Sequence, residues 1–138
     1  MFNTLSRHLF LAFSAGNIGA LLNSLAVWLT GLVGLSQALG VNITPPLTAA
    51  WLYPRLVWGG LWGLLLVIPS PLKAWQTGLI ASLLPSAVQC FVVFPLKAQK
   101  GVGGLALGTL TPVLVLVFNA IWGVSSAYLL QWTQQQTR

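Results

Sequence analysis

Three observations predict an all-α integral membrane protein, built as a bundle of four transmembrane helices. First, the 138-residue chain contains no Asp or Glu, and its charged residues make up only 4% of it, against roughly 25% in a soluble domain. Second, 57% of the residues are hydrophobic, so no charged surface is available to hold the chain in water and lipid is the solvent that fits. Third, long uncharged runs ending at Gly, Pro and Lys divide the chain into four segments near the roughly 20 residues a bilayer requires.

The opening residues lead into the first run through Phe2, Arg7 and His8, followed by Phe10 and Phe13. That composition suits a short interfacial N-terminal helix lying among headgroups. No charge occurs from Leu9 to Leu39, which is more than one span needs. A break near Ser14–Asn17 and a first span over about 17–39 are therefore expected, with one long tilted helix as the competing arrangement. Gly16, Gly19, Asn23, Thr30 and Gly34 recur at helical spacing in it, forming a face that lets another backbone approach closely in lipid.

Gly40 to Pro46 forms the first loop, stopped by glycine and paired prolines. The second span covers about 48–68 and carries Trp51, Arg55, Trp58 and Trp62 at i, i+4, i+7 and i+11. A guanidinium one turn from an indole on either side is a cation–π arrangement. Gly59, Gly60 and Gly63 bring a neighbour close at the same depth, and the stripe reads as a docking surface for a partner or for lipid. Arg55 lies near enough to the start of the span to snorkel to the interface.

The third span, about 74–94, aligns Gly78, Ser82, Pro85, Ser86 and Gln89. After a loop with Lys97 and Lys100, the fourth, about 105–130, aligns Gly108, Thr111, Asn119, Gly123 and Ser126, and Trp132 follows as an interfacial anchor. Residues 1–138 thus form one transmembrane domain with both termini on one side. Arg7, Lys73 and Arg138 fall on that side, against Lys97 and Lys100 on the other, or three with Arg55 counted there, a balance too even to set orientation and compatible with dual topology. The tetrapeptide Pro-Leu-Lys-Ala occurs at 71–74 and again at 95–98, which chance recurrence at span ends explains better than an inverted repeat.

The inventory argues against an enzyme. General acid–base work draws on carboxylates, His, Lys, Tyr or Cys, and here the carboxylates are absent and the cations lie near span ends. Cys90 has no base beside it in sequence and reads as a small core residue. A zinc site needs three or four Cys, His or carboxylate ligands, so no metal site is expected. The six cations are scattered rather than clustered, which excludes a nucleic-acid surface. No cofactor is certain; His8 could ligate a haem or chlorophyll metal, and Trp58 and Trp62 beside glycines would suit a chlorophyll, carotenoid, quinone or lipid tail, although helix packing is the plainer reading.

Two functions remain. The leading one is an accessory, structural or assembly subunit packed among other integral membrane subunits, in a bioenergetic or photosynthetic complex of a bacterial inner membrane or thylakoid-type membrane. The alternative is a homo-oligomeric channel or transporter for an anion or small solute. Cation carriers usually hold an intramembrane carboxylate, which this chain lacks. Asn17, Asn23, Ser82, Ser86, Gln89 and Asn119 would line such a pathway or pack the helices.

Overall fold

The computed structural model describes residues 3–136, and every regular element among them is helical. Helix α1 (Thr4–Leu32) starts where the Asn3 side chain accepts the Ser6 N–H at 2.7 Å. A single turn, α2 (Leu35–Ala38), follows. Helix α3 (Ala49–Gly63) is capped by Thr48, whose hydroxyl accepts the Trp51 N–H at 3.2 Å, and runs on as a 3-10 turn to Val67. Helix α4 (Ala74–Val88) continues as a π-helix over Gln89–Lys97. A kinked 3-10 segment (Val102–Leu107) leads to α5 (Thr111–Gln136). Counting the extensions of α3 and α4, four helices are long and apolar enough to cross a membrane.

Two expected limits are corrected. The break near Ser14–Asn17 does not exist, and no separate interfacial helix precedes α1: one helix runs through, because Gly16 is packed inside it against α3. The helix stops instead before Gly34, whose φ of 84° is the left-handed conformation a side chain resists. Likewise α5 begins at Thr111 rather than near 105, because Gly103 and Gly104 turn left-handed (φ 66° and 70°) and cannot extend a helix backward. Phe2 and Arg138 lie outside the described residues.

Glycines set the helix crossings. A Cβ on Gly16 would strike the Gly59 carbonyl, and one on Gly59 would strike the Ala20 side chain, so α1 and α3 meet backbone to backbone. Gly19 opens the same helix to Trp122 and Ser126 of α5, and Gly78 and Gly123 face one another's carbonyls between α4 and α5. Helices α1 and α5 are thus the central pair, with α3 against α1 and α4 against α5. The outer two meet through the 3-10 extension of α3 and diverge toward the end where α3 begins. Small and polar side chains fill the interior (Ser24, Ser82, Ser86 and Ser126 are buried), whereas leucines such as Leu22, Leu29, Leu83 and Leu116 face outward. That polarity fits a bundle solvated by lipid, where close backbone packing replaces hydrophobic drive.

Arg7 and Lys73 lie toward one end of the bundle, and Lys97 and Lys100 at the other. The crossing makes a direct prediction. Gly123→Val should destabilise the bundle by about 1–3 kcal/mol through overpacking, read as a lower unfolding midpoint in detergent. Leu83→Ala, on the outer face, should change stability by no more than about 0.5 kcal/mol.

Candidate functional site

Where α3 and α4 diverge, an open cavity of about 370 Å³ lies between them, with α1 and α5 as its floor. Its polar wall holds Asn23, Asn42, Thr44, Arg55, Gln89 and Asn119; Val27, Trp51, Phe94, Leu107, Val115 and Phe118 supply much of the apolar remainder.

Arg55 turns inward, toward α1. Its Nε donates to Ser24 Oγ at 2.9 Å and its Nη2 to Asn23 Oδ1 at 2.7 Å. Its Cζ stands 4.7 Å from the centre of the Trp51 ring, a cation–π contact. A guanidinium only donates, so it fixes the direction of everything beyond it. Asn23 must present its oxygen to Arg55, which leaves its amide nitrogen to donate to Phe118 O at 2.6 Å and to Asn119 Oδ1 at 3.4 Å. Asn119 in turn donates to Ser86 Oγ at 3.0 Å and Gln89 Oε1 at 3.4 Å. One directed chain of hydrogen bonds therefore runs from α3 through α1 and α5 to α4, and each link polarises the next.

Below this chain the bundle closes. The Trp122 indole N–H is shared between Gly16 O at 3.2 Å and Gly59 O at 3.3 Å, tying α5 to both α1 and α3 at their crossing. At the opposite end a second cavity, about 310 Å³, is lined by His8, Ser70, Thr77, Gln131, Gln134 and apolar neighbours. His8 is paired there with the Gln134 side chain.

Of the residues singled out by sequence, Trp51, Arg55, Asn23, Gln89 and Asn119 come together around one cavity. Gly59 and Gly63 serve the α1 crossing instead. The structure sends the residues of the expected docking stripe in different directions. At 3.6 residues per turn, Arg55 leads Trp51 by about 40° toward the glycine face while Trp58 lags by about 20°. Arg55 consequently reaches α1, rather than snorkelling, and Trp58 is left exposed. Trp62 is half-buried, and neither it nor Trp58 lines either cavity. Asn17 bonds back to Phe13 O at 2.9 Å, and Ser82 to Leu79 O at 2.7 Å, so both are spent on their own helices. Sequence reasoning missed Ser24, Asn42, Thr44, Phe94 and Phe118. The Asn42-Ile43-Thr44 run lay in a loop, and Ser24 had only its place beside Asn23 to mark it. Among the described residues, no group of three His, Cys, Asp or Glu side chains is placed to hold a metal ion.

No protein-family model, curated protein or solved structure matches this chain.

The directed chain predicts an order of effects. Asn23→Leu removes an acceptor from a charged group and should cost about 1.5–3 kcal/mol. Asn119→Leu loses only amide–amide and amide–hydroxyl bonds and should cost about 1 kcal/mol. Chemical denaturation in mixed micelles reads both, and equal losses would contradict the polarity assigned to the chain.

Proposed function

We propose that this is an integral membrane protein of the transport class that binds an anion in the Arg55 cavity. The observation that carries this reading is the guanidinium itself. It sits in a cavity wall, held by two neutral oxygens, in a sequence with no carboxylate that could neutralise it. Hydrogen bonds to a charged group contribute about 1.5–3 kcal/mol each and support the cation without cancelling its charge. An anion about 4 Å away would add about 4 kcal/mol at an effective dielectric near 20. The rest of the Arg55 fork has no protein acceptor among the described residues, and a planar fork suits a two-oxygen ligand.

Two further features favour transport over a purely structural role. Lys97 and Lys100 are exposed at the end of the bundle where the cavity lies, a local field that concentrates anions. The second cavity at the far end is separated from the first by the Trp122 crossing. Vestibules on both sides of a packed barrier are an arrangement that a carrier can use.

The test is ligand-induced stabilisation of the purified protein by chloride, inorganic phosphate and hexanesulfonate. At least one should raise the unfolding midpoint, by an amount equivalent to about 2.7 kcal/mol at a hundred times its dissociation constant. Arg55→Gln should remove the shift and Lys100→Gln should keep most of it. If none of the three stabilises the protein, the anion reading fails. Extraction only within a larger complex would then favour an accessory subunit.

A further inference from the structure

We infer that the occupant of the Arg55 cavity is an amphiphilic organic monoanion: a singly charged oxyanion head, carboxylate-like or phosphodiester-like, on an apolar body. This rests on the anion-binding reading and adds the class of ligand to it.

Three properties of the cavity select that class. Its volume, about 370 Å³, lies in the range of roughly 300–1,000 Å³ typical of sites for organic molecules. At about 30 Å³ for each water, it is far larger than a halide or a phosphate needs. Its lining is divided in kind: the Arg55 fork and the amides of Asn23, Asn119 and Gln89 offer polar contacts, while Phe94, Val115 and Phe118 offer apolar surface. A small hydrated anion leaves that apolar surface wet; an alkyl or aryl body covers it.

Charge balance fixes the valence. Arg55 is the one cation lining this cavity, and neither Asp nor Glu occurs in the chain. A monoanion neutralises the site, whereas a dianion leaves one uncompensated charge among apolar side chains, a costly state. The head therefore carries a single charge, and the two-oxygen geometry of carboxylate, sulfonate or phosphodiester matches the guanidinium fork. Because α3 and α4 diverge at this end, the apolar body has a route from the side as well as from the end of the bundle.

Titration calorimetry on the purified protein tests the inference, with methanesulfonate, butanesulfonate and hexanesulfonate as one series and octanoate, chloride and inorganic phosphate beside it. Within the series the head is constant and permanently charged, so only the body changes. Affinity should rise by up to about fourfold for each methylene that becomes buried, and chloride and phosphate should bind at least about tenfold more weakly than hexanesulfonate. Arg55→Gln should weaken hexanesulfonate by about tenfold or more. Leu107→Phe, at a half-buried position in the lining, should flatten the chain-length series, weakening hexanesulfonate more than methanesulfonate. It keeps the test decisive if the Arg55 variant does not fold.

Quenching or enhancement of Trp51 emission on binding, lost in Trp51→Phe, would place the head against the guanidinium. Repeating the titration in nanodiscs of phosphatidylcholine, with and without phosphatidylglycerol, identifies the source. Displacement of octanoate by phosphatidylglycerol supports the inference with a bilayer lipid as donor of the head; undiminished octanoate binding supports it with a free organic acid. Chloride or phosphate binding as tightly as hexanesulfonate would overturn the inference and leave the anion-binding reading standing. No binding by any of these probes would overturn both.

Discussion

The arrangement of this bundle depends on one positive charge that the chain cannot neutralise. Among the described residues, Arg55 is held by the hydroxyl of Ser24, the amide oxygen of Asn23 and the face of the Trp51 ring. That demand propagates. Asn23 turns its nitrogen away from Arg55, Asn119 turns its oxygen to meet it, and Gln89 and Ser86 accept at the far side. A core of leucines could pack four helices in many registers. A chain of donors and acceptors with one allowed direction accepts far fewer, and this is where the bundle acquires specificity.

The glycine crossings serve the same end from the other direction. Gly16 and Gly59, and Gly78 and Gly123, bring backbones near enough that only a carbonyl fits between them. The carbonyls of Gly16 and Gly59 thereby become close enough to share one indole N–H. Tight contact at this level and divergence above it are complementary: the helices that touch at glycine separate toward the end where the arginine sits, and the cavity is what that separation leaves. Close packing thus positions the site without lining it.

Much of this was legible in the sequence, for physical reasons that differ by residue. The four apolar segments follow from length and charge alone. Asn23, Gln89 and Asn119 stood out because an amide within an apolar segment needs a partner. The ends of α1 and α5 were misjudged because Gly16 looks like a breaker until α3 is beside it, while Gly34, Gly103 and Gly104 do break the chain by adopting positive φ. Least legible was the inward turn of Arg55. Its acceptors are 31 and 32 residues away in sequence, and a helical wheel sets Trp51, Arg55, Trp58 and Trp62 in one narrow row. Which of them lies over the edge of the packed face is decided by the neighbour.

The position of the two acceptors on α1 also bears on how the protein is made. Of the four long segments, the one holding Arg55 has the lowest mean hydropathy, 1.2 against 1.5 for the N-terminal segment and 2.0 for the last two, and it alone carries a cation more than one turn from its ends. Delivered singly to a bilayer, an arginine costs up to about 2.5–3.5 kcal/mol on translocon scales, the upper figure applying at the helix centre. Ser24 and Asn23 are synthesised before it, so the groups that receive the guanidinium are already waiting when it leaves the ribosome. In a bilayer the first hairpin would then insert as a pair, with the later helices closing the amide chain behind it. Order of synthesis and order of need coincide, and a circular permutation that places α3 ahead of α1 would separate them.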